Sequence, residues 1–414
     1  MLKELLSSFP TPSEKRIALH VTPAAERSLR NGHPWLFNEA IRRQSHDGKP
    51  GDLAVVFNQK RRFLAVGLYD PDSPIRVRVL QHKDPIHINQ EWFRRKIIRA
   101  QEIRSRLPEY TNGYRMFHGE NDGFPGLVLD IYADTGVLKI YTAAWIPFLR
   151  DLLPLFINLS PKRIILRLSR EVSRRPEHLY GLEDSMILWG ASLNGPVLFQ
   201  ENGLSFEADP IRGQKTGFFL DQRDNRARVE SLAEGNSVLN LFAYTGSFSI
   251  YAARGGAKSI TSVDISRPAL EAAERNFSHN KDHPSIAAAD HQIIVGDVFD
   301  VLTQFKENHQ HFDMVIIDPP SFAKRKTEVK KALFQYRRLT RLGLSVLNPG
   351  GILVQSSCSS RITPEDFFSV IQQEAQLAGN HLKEIERTGH ALDHPIKFPE
   401  GEYLKCLFSR TSAR

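Results

Sequence analysis

Cysteine is nearly absent from this chain, with Cys358 and Cys406 the only two in 414 residues. Two thiols are too few for a disulfide framework, and their spacing matches no zinc-ligand pattern. Neither a disulfide-stapled scaffold nor a metal site is expected, and a reducing cytoplasm fits. Long apolar runs are missing as well. No stretch of about 18 apolar residues occurs, and the opening MLKELLSSFPTPSEKR lacks an apolar segment followed by a small-residue cleavage site, so neither a membrane span nor export is expected. Also missing are internal repeats and low-complexity tracts.

What is present belongs to an ordinary globular protein. Hydrophobic residues make up 41% and charged residues 25%, which excludes fibrous and disordered classes. A length of 414 residues exceeds what one core usually fills, so two or three domains are expected. Lys and Arg number 55 against 47 Asp and Glu, a formal charge of +8 that favours a polyanionic partner or a negatively charged surface, although a charge kept only for solubility gives the same balance.

Residues 15–85 read as a small β-rich domain, because short alternating runs are broken by turn signals such as Asn31-Gly32 and Asp70-Pro71-Asp72. Its strands include Leu53 to Phe57, Arg62 to Tyr69 and Ile75 to Leu80, the last carrying Arg76 and Arg78 on one face as either a solvated or an RNA-facing surface. Residues 86–195 read as a helical connector, Gln90 to Arg106, and a small central α+β domain. There Arg163, Arg167, Arg170, Arg174 and Arg175 form a solvated or phosphate-contacting run. From residue 196 to 414 strands alternate with helices, which argues for a doubly wound, largely parallel sheet. The strands are read at Ser237 to Leu241, Ile260 to Asp264, Gln292 to Val295, Met314 to Ile317 and Gly351 to Ser356. Helices are read at Ser247 to Arg254, Arg267 to Asn280 and Val329 to Leu347.

Four elements carry chemistry. The first is the strand ending Asn240-Leu241-Phe242-Ala243-Tyr244-Thr245-Gly246, whose break lies where ligands bind in such sheets. It lacks the full G-x-G-x-x-G of a pyrophosphate cradle, so a dehydrogenase fits worst. The second is a pair of carboxylates: Asp264 is placed to accept from a ribose diol and Asp297 from an adenine amino group, although either serves equally as a helix cap. The third is Asp318-Pro319-Pro320-Ser321-Phe322, stiffened by two prolines and suited to holding a base. The fourth is Cys358, at the end of a strand among serines; Cys406 alternates as a buried structural residue. Cys358 with Asp318 suits methylation of cytosine at carbon 5, where a thiolate adds to carbon 6 and an acid stabilises the charge that develops. Lys324, Arg325 and Lys326 are the nearest cations in sequence for lowering the thiol pKa.

In their order these motifs resemble a family: the bacterial large-subunit ribosomal RNA cytosine-5 methyltransferases of the RlmI type, which join an N-terminal PUA domain to a class I methyltransferase domain. The resemblance also rests on His33-Pro34-Trp35-Leu36-Phe37, on His118 to Gly126, on Lys215 to Arg226, and on Asp393-His394-Pro395 with Pro399 to Lys405. It implies a multidomain α/β protein: PUA-like domain, central α+β domain, Rossmann-like methyltransferase domain. It implies Cys358 as nucleophile and Asp318 as the base-contacting acid. For S-adenosylmethionine it implies Asn240, Phe242, Tyr244, Thr245, Gly246, Asp264, Ile265, Asp297, Val298 and Asp318, with Phe219, Asp221 and Arg223. For RNA it implies Pro319, Pro320, Phe322, Lys324 and Lys215. No second Cys stands in the proline motif, which leaves Cys358 as the sole candidate. The implied partner is large-subunit ribosomal RNA, naked or in an assembly particle, with a homodimer allowed. The rivals are an RNA N-methyltransferase, which needs no Cys358, and a non-catalytic RNA-binding factor that keeps S-adenosylmethionine as a structural ligand.

Overall fold

A computed structural model describes residues 2–412, which divide into two compact units. The first runs to Gly203 and also takes Ala208–Leu220 and Leu392–Phe398; the second holds Leu204–Glu207, Asp221–Ala391 and the chain from Pro399 on.

In the first unit, alternating strands build a six-stranded sheet in the order Trp35–Phe37, Ile75–His82, Phe63–Tyr69, Leu53–Phe57, Ile17–Val21, Ile41–Gln44. One face packs Ile17, Leu19, Val56, Ala65 and Val77 with Leu29 of the helix Pro23–Arg30. A five-stranded sheet follows, ordered Ile187–Trp189, Arg163–Leu168, Thr135–Ile140, Leu127–Tyr132, Gly113–His118. The helix Gln90–Ile103 buries Trp92, Phe93, Ile97 and Ala100 at helical spacing. It stops before the expected Arg106 because Arg104 turns inward. Its guanidinium donates to Asp122 at 2.7 Å and to the carbonyl of Asp393 at 2.8 Å, so a buried cation is paired rather than stranded.

Two basic features of this unit are held by named partners in three dimensions, and of the second Arg170, Arg174 and Arg175 remain exposed as a solvated face would. Arg78 is buried and donates to Glu120 at 3.3 Å, so it offers no RNA-facing surface. The run from Arg163 to Arg175 is largely engaged: Arg167 with Asp184, Arg174 with Glu171, Arg175 with Asp72, and Arg163 with the carbonyl of Ser192.

The second unit carries a seven-stranded sheet, its strands numbered here as β1 Ser237–Leu241, β2 Ser259–Asp264, β3 Asp290–Val295, β4 Phe312–Ile317, β5 Leu347–Ser357, β6 Leu382–Thr388 and β7 Lys405–Thr411. Their spatial order is 3-2-1-4-5-7-6. Strands β1 to β5 are parallel, and β7 pairs antiparallel with both β5 and β6. The longer helices, beside the short turn of helix at Pro284–Ala288, are α1 Arg223–Glu230, α2 Ser247–Arg254, α3 Arg267–Ser278, α4 Val298–Glu307, α5 Val329–Ser345 and α6 Pro364–Leu377. The central strands are apolar on both faces because helices cover both: Leu239, Leu241, Val263, Val315, Ile317 and Leu353 join Leu302, Leu339 and Ile371 on one face, and Val238, Met314, Ile316 and Val354 are buried on the other. Strand β1 and helix α2 have the bounds expected from the sequence, α4 follows the cap expected at Asp297, and α6 and β6 are additional to the expected elements. Helix α6 has a legible start, since Thr363 accepts from the Asp366 N–H and Pro364 opens the first turn. Strand β6, Leu-Lys-Glu-Ile-Glu-Arg-Thr, is a charged edge strand, and charge along an edge masks the strand signal while blocking further pairing.

Candidate active site

Strand order reverses between β1 and β4, so the crevice beyond their carboxyl ends is the expected ligand position in this topology. The loop leaving β1 is unusual in backbone. Phe242, Tyr244 and Gly246 all lie in the left-handed region, at φ 59, 49 and 73. For the two aromatic residues this costs on the order of 1 kcal/mol each, and such strain persists only where surroundings impose it. Here the Ala243 N–H donates to the Val263 carbonyl and the Tyr244 N–H to Asp264 Oδ2, both at 2.9 Å. Gly246 also needs its missing side chain, since a Cβ would stand 2.7 Å from that of Ala273 on α3.

Asn240 lies beneath this loop rather than in it. Its amide donates to Ser249 Oγ at 2.8 Å, which meets Ser262 Oγ at 2.7 Å, which meets His291 Nε2 at 2.9 Å. That buried chain ties β1 to α2, β2 and β3. Burial pushes His291 down to about 4, so the ring stays neutral in this stack.

Asp264 ends β2 with both oxygens committed to backbone, Oδ1 accepting from the Ser266 N–H at 2.9 Å. A carboxylate has about four lone-pair positions, so these two bonds leave acceptor capacity for a diol. Ile265 next to it is 73% exposed, an apolar side chain in water at the mouth of the crevice. Asp297 caps α4, accepting from the Phe299 N–H at 2.8 Å, while Val298 turns into the core. Thr245 Oγ1 is buried with no partner among the described residues. An orphan hydroxyl, an exposed apolar side chain and a carboxylate with spare acceptor capacity together fit an adenosine-type ligand.

The second half of the site lies at the ends of β4 and β5. Ile317 pairs with Gln355, so Asp318 and Cys358 emerge on the same edge from adjacent strands. Asp318 Oδ1 accepts from the Gln222 amide at 2.9 Å, and Gln222 in turn accepts from Asn225 at 2.5 Å. Pro319 is buried and its carbonyl lies 3.7 Å from Cys358 Sγ. The Asp-Pro-Pro turn thus presents a carbonyl to the thiol. Phe322 packs on the Tyr336 ring at a centroid distance of 5.2 Å, while Pro320 is exposed. Cys358 itself is partly exposed, between two buried serines that are each held: Ser357 Oγ accepts from Tyr336 Oη at 2.8 Å, and Ser359 Oγ donates to the Ala323 carbonyl at 2.9 Å.

The cation beside the thiol is Lys405, which sequence proximity did not suggest. It pairs with Ser357 across β5 and β7, and its ammonium donates to the carbonyls of Ser359 and Tyr403. Burial pushes Lys405 down to about 8, against the pull of Glu402 and Cys358. Lys324, Arg325 and Lys326 are exposed, and the backbone N–H groups of Lys324 and Arg325 hold Glu328. A lone Lys inside the apolar run Tyr403-Leu404-Lys405-Cys406-Leu407-Phe408 was the available signal for Lys405. Gln222 had none beyond its place beside Asp221.

The remaining expected residues divide. Asp221 accepts from Tyr403 Oη at 2.7 Å and Arg223 is buried at the start of α1, both in this unit. Lys215 and Phe219 belong to the first unit, where the Lys215 ammonium lies 4.4 Å from the centre of the Phe219 ring and its carbonyl accepts from Lys139 at 3.0 Å.

Comparison with known proteins adds sequence kinship to this geometry. A family model described as S-adenosylmethionine-dependent methyltransferase matches residues 178–409, and a PUA-like domain model matches residues 19–82. A ribosomal RNA large subunit methyltransferase of Deinococcus radiodurans is 46% identical over 408 residues, covering 97% of this chain and 99% of the relative. The ribosomal RNA large subunit methyltransferase I of Pseudoalteromonas translucida is 37% identical, covering 95% and 99%. Among solved structures, a SAM-dependent methyltransferase from Streptococcus mutans superposes with a TM-score of 0.80 at 24% identity over 95% of this chain and 99% of that one, a likeness of fold.

Proposed function

The chain belongs to the S-adenosylmethionine-dependent methyltransferase family, and from that premise we propose that it methylates carbon 5 of a cytosine in large-subunit ribosomal RNA, with Cys358 as nucleophile. The RNA class comes from relatives that match nearly the whole chain. The observation that carries the chemistry is the thiol of Cys358 at 3.7 Å from the Pro319 carbonyl, one strand over from Asp318 and beside the buried Lys405.

S-adenosylmethionine, when bound, supplies an electrophilic methyl group. Thr245, Gly246, Asp264, Ile265 and Asp297 are the residues proposed to hold it, with Asn240, Phe242 and Tyr244 fixing the loop and Val298 offering only backbone. The chain's own work is on the base. Lys405 favours the thiolate of Cys358 by placing a positive charge next to it. The thiolate adds to carbon 6 of the cytosine ring, and the electron pair displaced from the 5,6 double bond makes carbon 5 an enamine carbon able to accept a methyl group. Asp318, oriented by Gln222, meets the ring nitrogen 3 side and shares the proton that neutralises the adduct. Loss of the carbon 5 proton to a base then expels the Cys358 thiolate and restores the ring. Pro320 and Phe322 bound the space for the base, and Lys324 lies on the RNA side.

The test is methyl mapping by mass spectrometry on large-subunit RNA, free and in immature particles, for wild type beside Cys358→Ala. A 5-methylcytosine that falls at least about 1,000-fold in the variant is the expected result, as for loss of a covalent nucleophile. A methylated nitrogen that survives the substitution would replace this reading with an RNA N-methyltransferase. RNA binding without methylation would leave a binding factor.

A further inference from the structure

Charge on the second unit is concentrated in one place. From Lys324 to Arg341 the chain holds Lys324, Arg325, Lys326, Lys330, Lys331, Arg337, Arg338 and Arg341 against Glu328 alone, a local +7 in a chain whose formal net charge is +8. Most of the excess sits on α5, whose 17 residues include no carboxylate. Its inner face is ordinary core: Ala332, Tyr336, Leu339, Thr340 and Leu344 are buried. The outer face presents Lys330, Lys331 and Arg337, exposed and without an ion pair among the described residues, around Phe334, which is 62% exposed. Arg338 lies over the Phe299 ring at 4.2 Å and Arg341 pairs with Glu374 at 2.6 Å.

This arrangement works against the helix that carries it. Lys330 and Lys331 occupy the first turns, where the macrodipole favours carboxylates, and Arg337 and Arg341 are like charges at i and i+4. Solvated helices of the same unit do otherwise: α3 mixes Glu271 and Glu274 with Arg267 and Arg275, and α6 carries Glu365, Asp366 and Glu374 with no cation. Arg341 is compensated by Glu374, but Lys330, Lys331 and Arg337 have no ion pair among the described residues, and a local rule broken without compensation marks a surface kept for something else. Polyanions are the matching chemistry. Unpaired ammonium and guanidinium groups neutralise phosphates, and an exposed aromatic ring among them offers a face on which an unpaired base stacks.

We infer that the outer face of α5 is an RNA-docking surface, on which Lys330, Lys331 and Arg337 take backbone phosphates and Phe334 stacks a base next to the target nucleotide. From Lys330 to Arg341 the helix advances about 16 Å, which matches roughly five nucleotide steps of one strand at 3.4 Å each. The same helix reaches the reaction centre from its other side, because Tyr336 Oη donates to Ser357, the residue before Cys358. RNA held on the outer face is therefore registered to the nucleophile by one rigid element. The inference rests on the proposed action on RNA and adds where the strand is gripped.

The test uses the full chain with Lys330, Lys331 and Arg337 all changed to Glu, a second variant Phe334→Ala, and a control with Lys281→Glu and Lys306→Glu, two exposed cations off this face. A large-subunit RNA transcript is titrated at several salt concentrations, and methyl transfer is followed on the same RNA. The triple variant is expected to bind RNA roughly 10 to 100 times more weakly, with the slope of log affinity against log salt reduced by about 2 to 3, while S-adenosylmethionine affinity and thermal unfolding stay put. Phe334→Ala should raise KM for RNA about tenfold with the salt slope unchanged. Unchanged RNA affinity and slope in the triple variant, with wild type active on RNA, would overturn this inference alone. A wild type that neither binds nor methylates the RNA would overturn the proposed function and this surface with it.

Discussion

Ser356 faces Cys406 across β5 and β7, and Cys358 stands two residues past Ser356, just beyond the end of β5. The two thiols lie close to one paired edge of the sheet, yet they differ in burial and in the polar groups beside them. Cys406 is fully buried, and burial pushes its thiol up to about 12, beyond the help of its hydrogen bond with Ser356. Cys358 has passed the end of the strand onto the rim, where it is partly exposed, meets the Pro319 carbonyl and stands by the ammonium of Lys405. Lys405 and Cys406 are consecutive, so the alternation of β7 sends one side chain to the rim chemistry and the other into the core. The lesson is that a thiol's surroundings in this sheet are set by height above the strand ends and by one buried cation.

The largest expected effect concerns that cation's own cost. Burial lowers Lys405 from 10.5 to about 8, so between these values the unfolded chain keeps a proton that the folded chain has released, and stability gained from this group rises with pH. Relative to Lys405→Met, wild type should gain about 3 kcal/mol in unfolding free energy from pH 8 to pH 10.5, read by denaturant titration at both pH values. A flat difference would mean that the ammonium is solvated and the rim no different from any exposed edge.

Next in size, Lys405→Met should slow alkylation of Cys358 by iodoacetamide at pH 7.5 about tenfold and move its pH midpoint up by about one unit, the effect of removing one nearby charge. Peptide mapping distinguishes the two thiols, and comparable labelling of Cys406 in wild type would abolish the contrast. The smallest effect is expected from Cys406→Ala: a loss of about 1 kcal/mol, the scale of deleting one buried heavy atom, with methyl transfer unchanged. Loss of activity there would show that the interior thiol takes part after all.

Much of this was legible in the residues. The apolar runs of β1 and β4, the Asp-Pro-Pro loop and the exposed end of the Ser-Cys-Ser segment are local patterns with local causes, and they pointed to the crevice and to Cys358. The first unit was less transparent. Arg78 sits in an alternating strand exactly as a surface residue would, and only the arrival of Glu120, 42 residues later, makes it an interior one. The helix ending at Ile103 was overread because Arg104 continues the helical pattern while its guanidinium is claimed by Asp122.

By itself the sequence determined the periodicities, the turns, the doubly wound order of elements and which of the two thiols follows the end of a strand, because each follows from spacing along the chain. Tertiary structure alone decided which cation meets that thiol, which amide orients Asp318 and which arginines are free to meet RNA. Lys405 comes to Cys358 across an antiparallel pair and Gln222 to Asp318 from the turn that precedes α1, separations of 47 and 96 residues that only the closing of the sheet brings within hydrogen-bonding or Coulombic reach.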